Sequence, residues 1–263
     1  LEFTSPNDQI LDLVSELKLL PEIENVEFNY KMEAFLVPND NYYSDQWALN
    51  NTGQAVSYNG NNVGTPGCDV DAERAWNITT GNPNVVIAIL DTGIDLDHPD
   101  LASELVAGYD FVDNDTNAND GNMHGTACGS IAAGTTNNGI GVAGVCWDCS
   151  LMPVKVLSDQ GFGDFSDIIN GVIWASDNGA NVISMSLGGG GYQSSFDNAV
   201  TYAHDNGTIV IAASGNDNGS ISYPAAYEDC VSVGAMSPCN ERKSPSSCDG
   251  ENFWGSNYGN GLD

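Results

Sequence analysis

The chain has 263 residues, 41% of them hydrophobic, which is enough apolar mass for one large domain or two smaller ones and excludes an intrinsically disordered chain. Six Lys and Arg stand against 36 Asp and Glu, a formal charge of −30 at pH 7. Such a field repels phosphate backbones and anionic lipid surfaces, so nucleic acid and membrane are excluded as partners and a monomer is favoured.

In chain order, residues 8–20 place Ile10, Leu11, Leu13, Val14, Leu17 and Leu20 on one broad apolar face, a helix that Pro21 ends. Residues 23–30 alternate as a strand does, and the break Pro38-Asn39-Asp40-Asn41 sets a domain boundary near 38. Residues 39–81 are rich in Asn and Gly and read as surface loops with a short helix over 71–76. From Val85 the texture changes to continuous apolar runs over 85–90, 151–157, 182–187, 209–213 and 231–235, which suit strands buried on both faces of a parallel sheet. Helical periods over 124–133, 165–178 and 194–206 supply the crossovers, so the fold class is α/β, a three-layer α/β/α sandwich with a mainly parallel sheet. In such folds the chemistry gathers beyond the carboxyl ends of the strands, here at Asp91, Ser186 to Gly191 and Ser214 to Asn216. No apolar run is long enough to span a bilayer, and any secretory leader is expected upstream of Leu1.

Asp91, in Asp91-Thr92-Gly93, is expected half-buried at the sheet edge, held by turn amides and able to orient an imidazole. His124 opens a helix in His124-Gly125-Thr126, where the positive helix end disfavours protonation and suits a general base. Asn216 follows a strand in Ser214-Gly215-Asn216 and offers an amide donor to a developing oxyanion. Singly, the three also read as a turn cap, a helix-start histidine and a turn residue. Together with His98-Pro99-Asp100 and Ser186-Leu187-Gly188-Gly189, their order and flanking glycines resemble the subtilisin-like serine proteases, the subtilase family, over about 39–263. The thermitase and proteinase K branches are the most similar, partly because both carry a cysteine shortly after this histidine, as Cys128 does here.

The resemblance implies a secreted serine endopeptidase acting on polypeptides. Asp91 would hold His124, His124 would take the proton of a serine, and Asn216 would stabilise the oxyanion. Ser186, Leu187 and Gly188 would pair with an extended substrate as an added strand, with Gly189, Ser214 and Gly215 beside it. A phosphate-loop reading of 188–191 fails because no basic residue accompanies it. One departure matters: the family's Gly-Thr-Ser-Met-Ala segment is absent, Ser247 and Ser256 fall in loops, and no Gly-x-Ser-x-Gly elbow occurs. The expectation is therefore that the nucleophilic serine lies beyond Asp263 and that the sequence as given is inactive. On this reading residues 1–38 are the C-terminal part of an inhibitory propeptide, an intramolecular inhibitor of a zymogen, and 39–263 are a peptidase domain lacking its C-terminal part. The alternatives are a catalytically inactive subtilase-like calcium-binding or adhesion module, and a metal-dependent hydrolase using His124 with the loop from Asp110 to Asp120. The second is weak because the three histidines show no i, i+4 spacing.

Seven cysteines include the close pairs Cys146/Cys149 and Cys239/Cys248, which read as local disulfides in an oxidising compartment rather than zinc or redox motifs. Cys128 is expected free, and a Cys68–Cys230 pair is left open. Asp110, Asp113, Asp115, Asn117 and Asn119 place hard oxygen donors on one short loop, a Ca2+ pattern or simply a solvated acidic turn. It is not an EF-hand, which needs Gly where Ala118 stands and Glu where His124 stands. A second Ca2+ site, implied by the resemblance alone, uses Asp40, Asp100, the Asn138 side chain and the carbonyls of Thr135, Ile140 and Val142. Side-chain preference rests on loop-built walls, with bulky apolar side chains as the first guess.

Overall fold

A computed structural model describes residues 10–26, 36–56 and 64–263. The chain divides into two compact units, Leu1–Ala34 and Phe35–Asp263. In the first, helix α1 spans Ile10–Leu17. The strand expected over 23–30 is absent from its described part, 23–26, and the remainder lies outside the described residues.

The second unit carries α2 (Ala72–Trp76), β1 (Val86–Asp91), β2 (Tyr109–Asp110), α3 (His124–Ala133), β3 (Ser150–Lys155), α4 (Phe165–Asp177), β4 (Val182–Met185), α5 (Ser194–Asp205), β5 (Ile209–Ala213), β6 (Cys230–Val233) and the short β7 (Met236–Ser237) and β8 (Glu241–Arg242). Six strands form one sheet in the order β2-β3-β1-β4-β5-β6, every neighbouring pair parallel. The antiparallel hairpin β7-β8 stands apart. β1, β3, β4, β5 and β6 are the runs read from the sequence with ends shifted by at most two residues, whereas β2, β7 and β8 were not read there, and one shift matters: Asp91 closes β1 instead of following it. Among the described residues, no helix is long and apolar enough to cross a membrane.

Alternation along the strands makes two cores. Ala88, Leu90, Val154, Ile183, Met185 and Val210 face α4 and α5, burying Val172, Phe196 and Val200. Ile87, Ile89 and Leu151 face the other way, under α3. That helix is built from small residues, and two glycines allow it to sit low: a Cβ on Gly125 would stand 2.1 Å from the Gly93 carbonyl oxygen, and one on Gly129 would press on Ile94. Among the described residues the α3 side is covered by a helix only over β1 and β3. On β5 and β6 the same face leaves Ile209 53%, Val231 38% and Val233 47% exposed.

The bridges Cys146–Cys149 and Cys239–Cys248 are formed. Cys128 is a free thiol; Cys68 and Cys230 are also free, so the Cys68–Cys230 pair is not made. Instead Cys68 Sγ accepts the amide of Asn240 at 3.0 Å, and Cys230 is buried in the α4/α5 core.

Candidate active site

Asp91 is fully buried, deeper than the half burial read from the sequence, because β1 is an inner strand with α3 packed over its end. Its carbonyl accepts the amides of Val156 and Leu157 at 2.9 and 3.1 Å, fixing the strand end to the residues after β3. One carboxylate oxygen, Oδ1, takes the Thr92 amide and His124 Nδ1, each at 2.7 Å. The other, Oδ2, is buried with no hydrogen-bond partner. Among the described residues, the His124 ring is the neighbour of this carboxylate that can carry a positive charge. The acceptor role of Asp91 keeps a proton on Nδ1 and leaves Nε2 as the basic nitrogen of a half-exposed side chain.

The register of that pair is set by residues the sequence reading passed over. Asp120 sits three residues before Met123, the cap position of α3. Its Oδ1 accepts the amides of Asn122 and Met123 (2.8 and 3.1 Å) and the Thr92 hydroxyl (2.9 Å), while Oδ2 accepts the Thr126 amide and hydroxyl (3.0 and 2.6 Å). Thr92 Oγ1 in turn accepts the Gly125 amide at 3.0 Å. The turn after Asp91 and the first turn of α3 are thus clipped together through one carboxylate. Burial alone would raise the Asp120 pKa, but the bonds from Thr126, Asn122 and Thr92 outweigh it and hold the group below its ordinary value. Lys155, also buried, donates from Nζ to the Thr92 carbonyl at 2.6 Å and to Asp159 at 2.7 Å, closing the turn from the β3 side.

His124 opens onto a cleft of about 620 Å³ that also brings together Thr92, Ser186, Leu187, Gly188, Gly189, Gly215 and Asn216. Strand pairing stops at Met185, which leaves the segment from Ser186 to Gly188 as an unpaired edge beside the cleft. Ser214 lies elsewhere, buried in the wall of a neighbouring cavity with its hydroxyl on the Asn257 carbonyl. Among the described residues no serine hydroxyl is bonded to His124. Ser256 and Ser247 are both buried, their hydroxyls bonded to the carbonyls of Asn257 and Arg242. Cys128 Sγ stands 3.9 Å from His124 Nδ1, the nitrogen already engaged by Asp91. Burial pushes this thiol up, a bond from Ser186 opposes it, and the neighbouring Asp91 and Asp120 raise it further, so it stays protonated and is a poor nucleophile.

The two oxygen-rich sets differ. In the 110–119 loop, Asp110 is buried and its Oδ1 accepts the amides of Val112 and Asp113, whereas Asp113, Asp115, Asn117 and Asn119 are exposed. Asp115 caps the Asn117 amide and Asn119 that of Leu96, and the three aspartates do not converge on one point. Asp40 and Asp100 do converge on the loop from Thr135 to Val142: Asp40 accepts the amides of Asn137 and Asn138, and Asp100 those of the Asn138 side chain and Val142. Both carboxylates are buried, and among the described residues neither has a basic partner. Two uncompensated buried carboxylates with an Asn amide and nearby carbonyls are a donor set suited to a hard divalent cation.

Residues 82–260 match the family described as the Subtilase family. Thermitase of Thermoactinomyces vulgaris is 42% identical over 176 residues, covering 66% of this chain and 62% of that protein. The Halolysin-like extracellular serine protease Nep of Natrialba magadii is 42% identical over 224 residues, 82% of this chain and 38% of its own length. The chain thus spans about half the length of these relatives. Among solved structures, the proteases from Pseudoalteromonas arctica PAMC 21717 superpose with a TM-score of 0.70 at 32% identity, covering 86% of this chain and 70% of that one.

Replacing Asp120 by Asn should lower stability by roughly 1–2 kcal/mol, since bonds to a partly exposed charged acceptor are exchanged for weaker ones. Because the folded pKa of Asp120 is depressed, the difference between parent and variant is full above about pH 4, the unfolded value, and vanishes as pH falls through the folded one. Thermal melts of both proteins from pH 8 to 3 check this; a difference that grows on acidification contradicts it.

Proposed function

The chain belongs to the subtilase family of serine peptidases, and we propose that it is the greater part of a secreted endopeptidase domain whose Asp91 and His124 act with a serine carried by a segment outside this sequence. The observation that carries the reading is the 2.7 Å bond from His124 Nδ1 to buried Asp91, with Nε2 left free beside the cleft that Asn216 also lines. His124 Nε2 removes the serine proton as Oγ attacks the scissile carbonyl, and the imidazolium that forms is stabilised by Asp91, including its unpartnered oxygen. The Asn216 side-chain amide donates to the oxyanion. His124 then returns the proton to the leaving amine, and water repeats the cycle on the acyl-enzyme. Ser186, Leu187 and Gly188 hold the substrate backbone as an added strand.

The exposed strip of Ile209, Val231 and Val233 on the α3 side of the sheet supports a further element packed over β5 and β6. A propeptide role for residues 1–38, inhibiting the domain in cis, rests on the family and on the separation of the first unit. Secretion is supported by two disulfides and by the extracellular relative. Ca2+ is proposed at Asp40, Asp100, Asn138 and the carbonyls of Thr135, Ile140 and Val142. A second ion is proposed at Asp110, Asp113, Asp115, Asn117 and Asn119, where hard oxygen donors support it but the exposed loop supports it less. Bound there, Ca2+ supplies charge compensation to the fold and no chemistry to the reaction.

A serine-directed fluorophosphonate should label the full-length protein and not its His124→Ala variant, with the adduct on a serine outside this sequence. Absence of label from a folded full-length protein contradicts the enzyme and leaves a binding module on the same fold. Chelation by EDTA should lower the melting temperature by several degrees, and Asp100→Asn should abolish most of that response. A melt indifferent to EDTA removes calcium from the account.

A further inference from the structure

Away from the cleft, a free thiol is packed against a disulfide at the turn between β7 and β8. Cys239 in this turn is bridged to Cys248. Cys68 Sγ accepts the amide of Asn240 at 3.0 Å and donates to the Ser237 carbonyl at 3.7 Å. The Asn240 nitrogen belongs to the peptide bond leaving Cys239, so the thiol lies against the bridged residue itself. Backbone contacts fix it there: buried Asn51 donates to the carbonyls of Cys68 and Pro238 at 3.1 and 3.0 Å, and the Thr65 amide donates to Pro238 at 2.8 Å. Cys68, Cys239 and Cys248 are each half-buried, so water reaches all three residues. The other two free thiols lie elsewhere. Cys128 faces His124, and Cys230 sits in the α4/α5 core, where burial pushes its thiol up to about 12.

From this arrangement we propose that Cys68, Cys239 and Cys248 form a thiol–disulfide exchange site, at which the bridge passes from Cys239–Cys248 to Cys68–Cys239 within the folded chain. Cys68 gives its proton to solvent and its sulfur attacks Cys239 Sγ. The Cys68–Cys239 bond forms as the Cys239–Cys248 bond breaks, and Cys248 leaves with the electron pair and takes a proton from solvent. One disulfide replaces another, so the step consumes neither oxidant nor reductant. Holding nucleophile and target on one framework makes the step unimolecular. The two bridges constrain different parts of the fold. Cys239–Cys248 joins residues nine apart, around buried Lys243, whereas Cys68–Cys239 ties the loop before α2 to the hairpin. The second closes a far longer loop and restricts the unfolded chain more. Exchange thus trades a local staple for a long-range one and moves the accessible thiol from Cys68 to Cys248. It is independent of the peptidase reading.

The test is a disulfide map of the full-length protein carrying His124→Ala, which removes self-digestion. Samples held at about pH 5 and about pH 8 are blocked with N-ethylmaleimide, digested with pepsin in acid without reduction, and read by mass spectrometry. At the lower pH, maleimide should mark Cys68 and the Cys239–Cys248 peptide should dominate. At the higher pH, a Cys68–Cys239 peptide should accumulate with maleimide on Cys248, at a rate independent of protein concentration, because attack requires the thiolate and stays within one chain. Cys68→Ser should keep Cys239–Cys248 at both pH values, and Cys248→Ser should be isolated with Cys68 and Cys239 already bridged. Absence of the Cys68–Cys239 peptide from the parent at the higher pH overturns the proposal. So does a rate that rises with protein concentration, which means exchange between molecules, or the recovery of Cys248→Ser with Cys68 and Cys239 both marked by maleimide.

Discussion

The hydrogen bond from His124 to the buried carboxylate of Asp91 joins the end of an inner strand to the start of a helix 33 residues later, and much of the surrounding structure exists to hold that distance. Glycines at 93 and 125 let the two backbones meet, since a single methyl at 125 would overlap the Gly93 carbonyl. Asp120 and Thr92 clip the segments from one side and Lys155 closes the turn from the other. Each element is a short-range polar contact in a partly water-free setting, where geometry is more tightly enforced than on an open surface. The result is an imidazole with one nitrogen committed and one free.

Charge is distributed with a similar logic. Of the six basic residues, Lys155 and Lys243 are buried, and Lys243, inside the loop closed by Cys239–Cys248, is bonded to Asp249 and to the Glu251 carbonyl just beyond it. Cations drawn into internal bonds leave an almost wholly anionic surface. Self-repulsion of that surface opposes compaction, and divalent cations or salt relieve it. Buried Asp40 and Asp100 concentrate the same problem at one place, which is why their loop is the stronger of the two calcium candidates.

What could be read from the sequence was what depends on local pattern. The apolar run at 209–213 and the helical period at 124–133 match their elements residue for residue, because both have sharp ends: Asn206-Gly207 before the strand, and Gly134 after the helix. Asp91, His124 and Asn216 were legible because they stand at or just past the ends of such elements and keep the spacing of a known family. Asp120 was not, since a lone aspartate in an acidic loop reads as surface and its five bonds come from residues that meet only in the fold. Lys155 fell inside the run 151–157 and drew no reading of its own, and only the pairing of β1 with β3 makes it a donor to Thr92.

The central claim, that buried Asp91 fixes the His124 tautomer and leaves Nε2 free, is tested most directly by proton NMR of protein labelled with 15N at histidine. With only three histidines, the assignment needs a single variant. A strongly low-field Nδ1–H resonance, present in the parent and lost in both His124→Ala and Asp91→Asn, is the predicted result. A His124 ring with its proton on Nε2, or a low-field signal that survives Asp91→Asn, would contradict it.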